Sequence, residues 1–183
     1  SRDGVLITTP VKKELDPSRP RPESLRAKVH RFKNGNDRWI AFIGFLDDSP
    51  FECFLGKVDD NFSFLPKQVT EGEIRKIKTN ESGERGRRYD FFYKTKYGHE
   101  NVFEAINEKF DREFWNYARM ISWMLRSGMP INYIVEGIDK LSDDTGIGMN
   151  TWKKGVKRAL SKNIADGVKS KSKCPNCGAD MVY

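Results

Sequence analysis

Histidine is scarce in this sequence, which has only His30 and His99 among its 183 residues. The two lie far apart and in different predicted elements. A metal site held by two histidines of this chain is therefore nearly excluded, and a Ser-His or Cys-His nucleophile has little support. We expect His30 to be an exposed strand residue and His99 to lie in a turn.

Cysteine is also rare, with three residues in the chain. The number is odd, with Cys174 and Cys177 close together and Cys53 alone in an aromatic run. This pattern does not make the disulfide framework of a small secreted protein. We predict that Cys53 is an inert core residue.

Long apolar runs are missing. No stretch approaches the roughly 18 consecutive apolar residues that a membrane helix needs, and the first thirty residues lack the apolar segment of a signal peptide. The sequence therefore predicts a soluble, cytoplasmic protein that does not contact a membrane. Twelve Phe, four Trp and six Tyr indicate a folded centre, although 32% of the residues are charged.

Positive charge is concentrated near the C-terminal end of a chain whose net charge is +7. In the predicted third helix, Lys153, Lys154, Lys157 and Arg158 lie opposite the apolar stripe. A basic surface of this kind can bind a polyanion such as nucleic acid. The alternative is a solvated helix face followed by a lysine-rich linker.

The pattern of turns and apolar residues predicts three regions. Residues 1–24 hold four of the eight prolines and are predicted to form a flexible N-terminal linker. Residues 25–97 contain short alternating runs separated by turn residues, which indicates an antiparallel sheet of about five strands. The predicted strands are 25–32, 39–46, 51–56, 73–78 and 88–96.

After Gly98 the apolar period changes from two to about 3.6, which predicts three packed helices within residues 101–166. The first is expected to run from Phe103 to Leu125 with an aromatic stripe on one face. Gly155 inside the third helix costs about 1 kcal/mol relative to alanine unless close packing requires it. The predicted fold is thus an α+β domain over residues 25–166, followed by a basic linker and tail over 167–183.

The tail contains the pair Cys174 and Cys177, followed by Gly178, which permits a tight turn. Tetrahedral zinc needs four ligands and this stretch supplies two, so the pair has the form of half a zinc ribbon. The same spacing suits a redox pair, because a neighbouring thiol lowers the pKa and resolves mixed disulfides. A chance pair with no special role is the third alternative.

Five segments carry a resemblance to a known family. They read S-L-R-A-K-V-H-R-F-K-N, R-W-I-A-F-I-G-F-L-D-D-S-P-F-E-C-F-L-G-K, I-S-W-M-L-R-S-G-M-P-I-N-Y-I-V-E-G-I-D-K-L, N-T-W-K-K-G-V-K-R-A-L and K-C-P-N-C-G. Taken together, they resemble the C-terminal region of adenosylcobalamin-dependent (class II) ribonucleotide reductases. The resemblance covers roughly residues 21–183.

The resemblance implies an accessory domain of an enzyme that reduces ribonucleotides to deoxyribonucleotides. In that family an upstream α/β barrel binds adenosylcobalamin and the nucleotide, so this region is expected to bind neither and not to be catalytic alone. It would support or position a cysteine-rich reductive tail, to which Cys174 and Cys177 correspond, with zinc as the expected metal. The implied partners are the catalytic barrel and a thioredoxin-type reductant.

Two other functions remain open from the sequence. One is a basic nucleic-acid-binding module that uses the helix and tail over residues 150–173. The other is an oligomerisation or interdomain spacer.

Overall fold

A computed structural model describes residues 20–59, 62, 65–78, 87–142, 147–164 and 169–182. Most of the predicted linker lies outside these residues, as does Gly146 in the loop before the third helix. The α+β class is confirmed, with six strands and three helices within the main body of the described chain.

The six strands form one antiparallel sheet in the order β3-β2-β1-β4-β5-β6. Their bounds are β1 Ser24–Asn34, β2 Asp37–Leu46, β3 Ser49–Lys57, β4 Glu71–Lys78, β5 Arg87–Lys94 and β6 Glu100–Phe103. Alternation explains β1, in which Leu25, Ala27 and Val29 are buried and the residues between them are not. Gly35, with φ of 61°, makes the turn into β2.

The helices are α1 Arg112–Arg126, α2 Ile131–Asp139 and α3 Ile147–Ser161. Asp111 begins α1, since its side chain accepts a hydrogen bond of 2.9 Å from the Glu113 N–H. Gly128, with φ of 78°, lies between α1 and α2. Pro130 directly precedes α2, at a position that needs no backbone donor.

The prediction of a helix from Phe103 was wrong, and the sheet has six strands where about five were predicted. Phe103 is the last residue of β6, where it pairs with Phe91. Ala105 has a left-handed φ of 52°, so the backbone there is neither strand nor α-helix. A short 3₁₀ helix follows over Ile106–Glu108. Phe103, Ile106 and Phe110 are three and four residues apart, as on one face of a helix, but they reach the core from the end of a strand and from this irregular segment.

One core lies between the sheet and the helices. Its buried members are Trp39, Ala41, Ile43, Phe45, Cys53, Leu55, Ile121, Leu125, Ile134, Val135, Ile138, Trp152, Val156, Ala159 and Leu160. α2 contributes Ile134, Val135 and Ile138 to this core, and α3 contributes Trp152, Val156, Ala159 and Leu160.

A second core fills the other face of the sheet. Its buried members are Ala27, Val29, Ile40, Phe42, Phe54, Phe62, Leu65, Ile74, Phe91, Tyr93, Phe103, Ile106 and Phe110. The sheet curves around this core, because the rings of Phe54 on β3 and Tyr89 on β5 lie 5.2 Å apart although three strands separate them.

The C-terminal segment forms a separate two-stranded sheet, with β7 over Lys169–Lys173 and β8 over Asp180–Val182. The sequence predicted only a tail here. In the described part of the chain no helix is both long and apolar enough to cross a membrane.

Candidate functional site

The turn between β7 and β8 carries both cysteines of the predicted pair. The Cys174 N–H donates to the Ala179 carbonyl at 2.9 Å, and the Gly178 N–H donates back to the Cys174 carbonyl at 2.8 Å. Gly178 has φ of 70°, which glycine adopts without a Cβ penalty. An ion pair of 2.7 Å between Lys173 and Asp180 joins the two strands beside the turn. Local hydrogen bonds therefore fix this turn.

The turn stabilises the thiolate form of Cys174. The pKa of Cys174 is lowered because the backbone N–H groups of Asn176 and Cys177 donate hydrogen bonds to its sulfur, and the Cys177 side chain adds another hydrogen bond. Cys177 is exposed and Cys174 is half-exposed. A thiolate at this position suits either metal binding or thiol-disulfide exchange.

The residues present fit half of a zinc site. Two cysteines on one turn, with backbone N–H groups directed at a sulfur, are a suitable donor pair for zinc. Across the described ranges, no group of three or more His, Cys, Asp or Glu side chains is arranged to hold a metal ion. A zinc ion at this turn would therefore need further ligands from outside the described residues.

The lowered pKa predicts faster alkylation of Cys174. With iodoacetamide, the midpoint of its rate against pH should lie below that of free cysteine, near 8.5. Mass spectrometry of the labelled peptide measures the rate. Cys177→Ala removes one hydrogen bond to the Cys174 sulfur and should move the midpoint upward. A wild-type midpoint at or above that of free cysteine would contradict the geometry of the turn.

The third cysteine is buried, as predicted. Burial, with a smaller effect of the Glu52 charge, raises the pKa of Cys53 to about 12. Its backbone N–H donates to the Ser122 hydroxyl at 3.0 Å, and that hydroxyl lies 2.8 Å from the Ala118 carbonyl. Cys53 therefore belongs to the contact between β3 and α1.

The four predicted polyanion-binding residues have different environments in the structure. Lys153 is 7% exposed, and its Nζ donates to the Leu141 carbonyl at 2.7 Å. The Lys157 ammonium pairs with Asp139 at 2.6 Å, which ties α3 to the end of α2.

The remaining two cations, Lys154 and Arg158, are exposed, although Arg158 also donates to the Lys33 carbonyl at 3.0 Å. The structure thus leaves two of the four predicted side chains on the exposed face of α3. Lys153 follows the buried Trp152 in α3. Its aliphatic chain is buried, and it is long enough for the ammonium group to reach the Leu141 carbonyl just after α2.

A buried ionic cluster was missed by the sequence analysis. The Glu52 carboxylate, with a side chain 1% exposed, accepts two hydrogen bonds of 2.7 Å from the Arg21 guanidinium. Arg126 adds a contact of 3.2 Å from α1, and Arg21 also donates to the Ile74 carbonyl at 3.1 Å. These residues are far apart in sequence, so no local pattern signals the cluster.

His30 is half-buried, so the prediction of an exposed histidine was wrong. Burial, followed by the charges of Lys162 and Lys28, lowers its pKa to about 4. Its Nε2 is buried and has no hydrogen-bond partner among the described residues. His99 lies exposed in a turn, as predicted.

The lowered pKa predicts a stability change between about pH 6.5 and about pH 4. Over this window the unfolded chain binds a proton at position 30 before the folded chain does, so stability is lost as pH falls. The loss is at most about 2 kcal/mol after solvent screening. Urea unfolding at pH 7.5 and pH 4.5 should show a smaller loss for His30→Gln than for wild type. An equal loss of stability in wild type and in the variant would show that the pKa of His30 is not lowered by folding.

The observed architecture defines the class of this protein as an α+β domain, built on a curved antiparallel sheet and followed by a cysteine-bearing hairpin. A family model described as NrdJ homologue C-terminal domain matches residues 25–165, about three quarters of the chain. The chain belongs to this family and is related to the C-terminal region of class II, vitamin B12-dependent ribonucleotide reductases. Neither the search of curated proteins nor the search of solved structures found a match. The family match ends before Cys174.

Proposed function

We propose that this domain is a non-catalytic accessory part of a B12-dependent ribonucleotide reductase, and that it positions the cysteine hairpin for the catalytic barrel. The observation that carries the proposal is the family match over residues 25–165. The hairpin with Cys174 and Cys177 follows this segment after a short interval. Adenosylcobalamin belongs to the barrel in this account, and DNA precursors are the product of the parent enzyme.

The hairpin has the chemistry that a reductive tail needs. Reduction of a ribonucleotide consumes two electrons, and a dithiol that becomes a disulfide supplies two electrons and two protons. The Cys174 thiolate attacks an oxidised disulfide of the barrel and forms a mixed disulfide. Cys177 then attacks the Cys174 sulfur of this mixed disulfide and releases the barrel cysteine as a thiolate. The tail is left with a Cys174–Cys177 disulfide and the barrel with a reduced dithiol. A thioredoxin-type reductant restores the tail.

Zinc binding is the alternative role of the same pair. Here Cys174 and Cys177 supply two thiolates and other residues of the parent protein complete the site. The isolated 183 residues should then bind zinc weakly, or share one ion between two molecules. Tight one-to-one zinc binding by the isolated chain would contradict this form of the proposal.

The experiment is a reductase assay with the double variant Cys174→Ser/Cys177→Ser in the full protein that carries this domain. With dithiothreitol, which can enter the barrel directly, we expect product formation within about twofold of wild type. With a thioredoxin-type protein as reductant, we expect a loss of about tenfold or more. Unchanged activity with both reductants would sink the proposed role of the hairpin. Zinc content of wild type and variant separates the metal role from the redox role.

A second candidate function is nucleic-acid binding, favoured by one observation. Lys154, Arg158 and Lys162 are exposed and recur every four residues, so they share one side of α3 and its C-terminal end. Single-stranded nucleic acid should then bind with a salt-dependent affinity that is lost when Lys154 and Arg158 are replaced by Gln. Absence of binding at low salt would dispose of this function.

A further inference from the structure

A pocket of about 420 Å³ opens beside β1. Its walls come from three segments: β1, the chain just before and at the start of β4, and the residue that follows α3. The charged and titratable side chains that line it are Lys28, His30, Arg31, Lys67, Glu71 and Lys162. Four cations thus face one carboxylate in a concave space.

The walls of the pocket are held together by hydrogen bonds. The Arg31 guanidinium donates to the Val69 carbonyl at 2.6 Å and to the Pro66 carbonyl at 3.0 Å. The Val29 N–H donates to the Thr70 carbonyl at 2.7 Å. These contacts fix the segment that carries Lys67 against β1, so the pocket exists before any ligand arrives.

His30 lines the pocket, and one nitrogen of its ring is buried without a hydrogen-bond partner among the described residues. Its Nε2 is buried and lacks a partner within the described chain, whereas buried polar atoms in folded proteins nearly always have one. Lys28 and Lys162 both oppose a proton on this ring. An anion in the pocket would offset their charge and so stabilise the protonated ring.

We propose that this pocket binds the phosphate group of a small phosphorylated molecule, with Lys28, Lys67 and Lys162 as charged donors and His30 as a neighbouring ring that responds to the bound charge. A phosphate monoester carries close to two negative charges and three oxygen acceptors, which matches several cations arranged around one space. Glu71 is the opposing charge, and the excess of cations over it favours a dianion over a singly charged group. The site is separate from the proposed role of the hairpin and does not depend on it.

The test follows the His30 ring by NMR in the whole 183-residue chain. In sodium chloride at fixed ionic strength, its titration midpoint should lie near 4. Replacing chloride by inorganic phosphate at equal ionic strength should move the midpoint upward, because even the singly charged phosphate that predominates near pH 4 stabilises the imidazolium. The affinity for the dianion is measured separately at pH 7.5, where most inorganic phosphate carries two charges. The exposed His99 resonance should not respond to phosphate and serves as the internal reference.

Matched lysine variants identify the site. Lys67→Gln and Lys162→Gln should each weaken phosphate binding by about tenfold, whereas Lys96→Gln, a change at an exposed turn lysine outside the pocket, should leave it unchanged. Adenosine diphosphate, which has a terminal phosphate, should bind more tightly than a single-stranded oligonucleotide of the same phosphate concentration that carries only diesters. Any of three results would overturn the proposal. They are the same His30 titration midpoint in chloride and in phosphate, an unchanged phosphate affinity in both pocket variants, and tighter binding of the oligonucleotide than of adenosine diphosphate.

Discussion

Replacement of Arg21 by alanine is expected to lower the free energy of unfolding by about 3–4 kcal/mol. The change removes both short hydrogen bonds to the Glu52 carboxylate, which is 1% exposed and would keep only the longer Arg126 contact. A buried carboxylate that loses its partner must either stay charged without compensation or take up a proton. Urea unfolding followed by tryptophan fluorescence measures the loss.

The control is Arg26→Ala. Arg26 also pairs with a carboxylate, that of Asp48 at 2.6 Å, but both side chains are more than half exposed. An exposed ion pair contributes about 0–1 kcal/mol, so this variant should unfold close to wild type. If the Arg21 and Arg26 variants lose the same small amount of stability, the segment before β1 is not held by Glu52 and the description of the buried cluster is wrong.

The second large effect concerns two glycines inside helices. A Cβ at Gly155 would lie 2.2 Å from Cε2 of Phe32, so Gly155→Ala should destabilise the domain by about 1–2 kcal/mol through overpacking, despite the better helix propensity of alanine. Gly137 in α2 is exposed, and a Cβ there would meet nothing within 4 Å. Gly137→Ala should therefore stabilise the domain by about 0.5–1 kcal/mol.

Thermal and urea unfolding of the two alanine variants measure the difference in stability between them, which should be about 1.5–3 kcal/mol. A second test adds Phe32→Leu to the Gly155→Ala variant. The smaller side chain should recover part of the loss, because it vacates the space that the new methyl group needs. Equal stabilisation by alanine at both positions would show that α3 does not pack on Phe32 as described.

Strand and helix patterns in the sequence predicted most of the main body for physical reasons. The first six residues of β1 alternate between exposed and buried, and β2 is apolar on both faces because a core lies on each side of the sheet. The sequence offered two explanations for Gly155, close packing or a weak helix, and the contact with Phe32 identifies close packing. The strand patterns are local and can be recognised in the sequence, whereas Phe32 lies far from Gly155 in the chain and only the structure shows their contact.

The errors arose where distant contacts decide the structure. Phe103, Ile106 and Phe110 have helical spacing, yet they reach one core from a strand end, a 3₁₀ turn and a bend. The burial of His30 depends on the residues that follow α3 and precede β4. Arg21 lies in a proline-rich stretch and its partner is 31 residues away. Periodicity contains no information about such pairings.

For the cysteine pair, the sequence predicted which residues form the site but not that the pKa of Cys174 is lowered. The spacing indicated a tight turn, and the structure adds the backbone N–H groups that lower the pKa of Cys174. For the basic residues of α3, the helical pattern placed four cations on one side, whereas the stem length and the nearby α2 terminus bring Lys153 inside.

The most direct test of the central claim is ribonucleotide reduction by the parent reductase with and without residues 20–183. Removal should start at Pro20, because Arg21 belongs to the folded domain. We predict that deletion leaves the dithiothreitol-driven reaction within about twofold and lowers the thioredoxin-driven reaction by about tenfold or more. Loss of both reactions while nucleotide and cobalamin still bind, or product formation by the isolated 183 residues, would contradict an accessory, non-catalytic role.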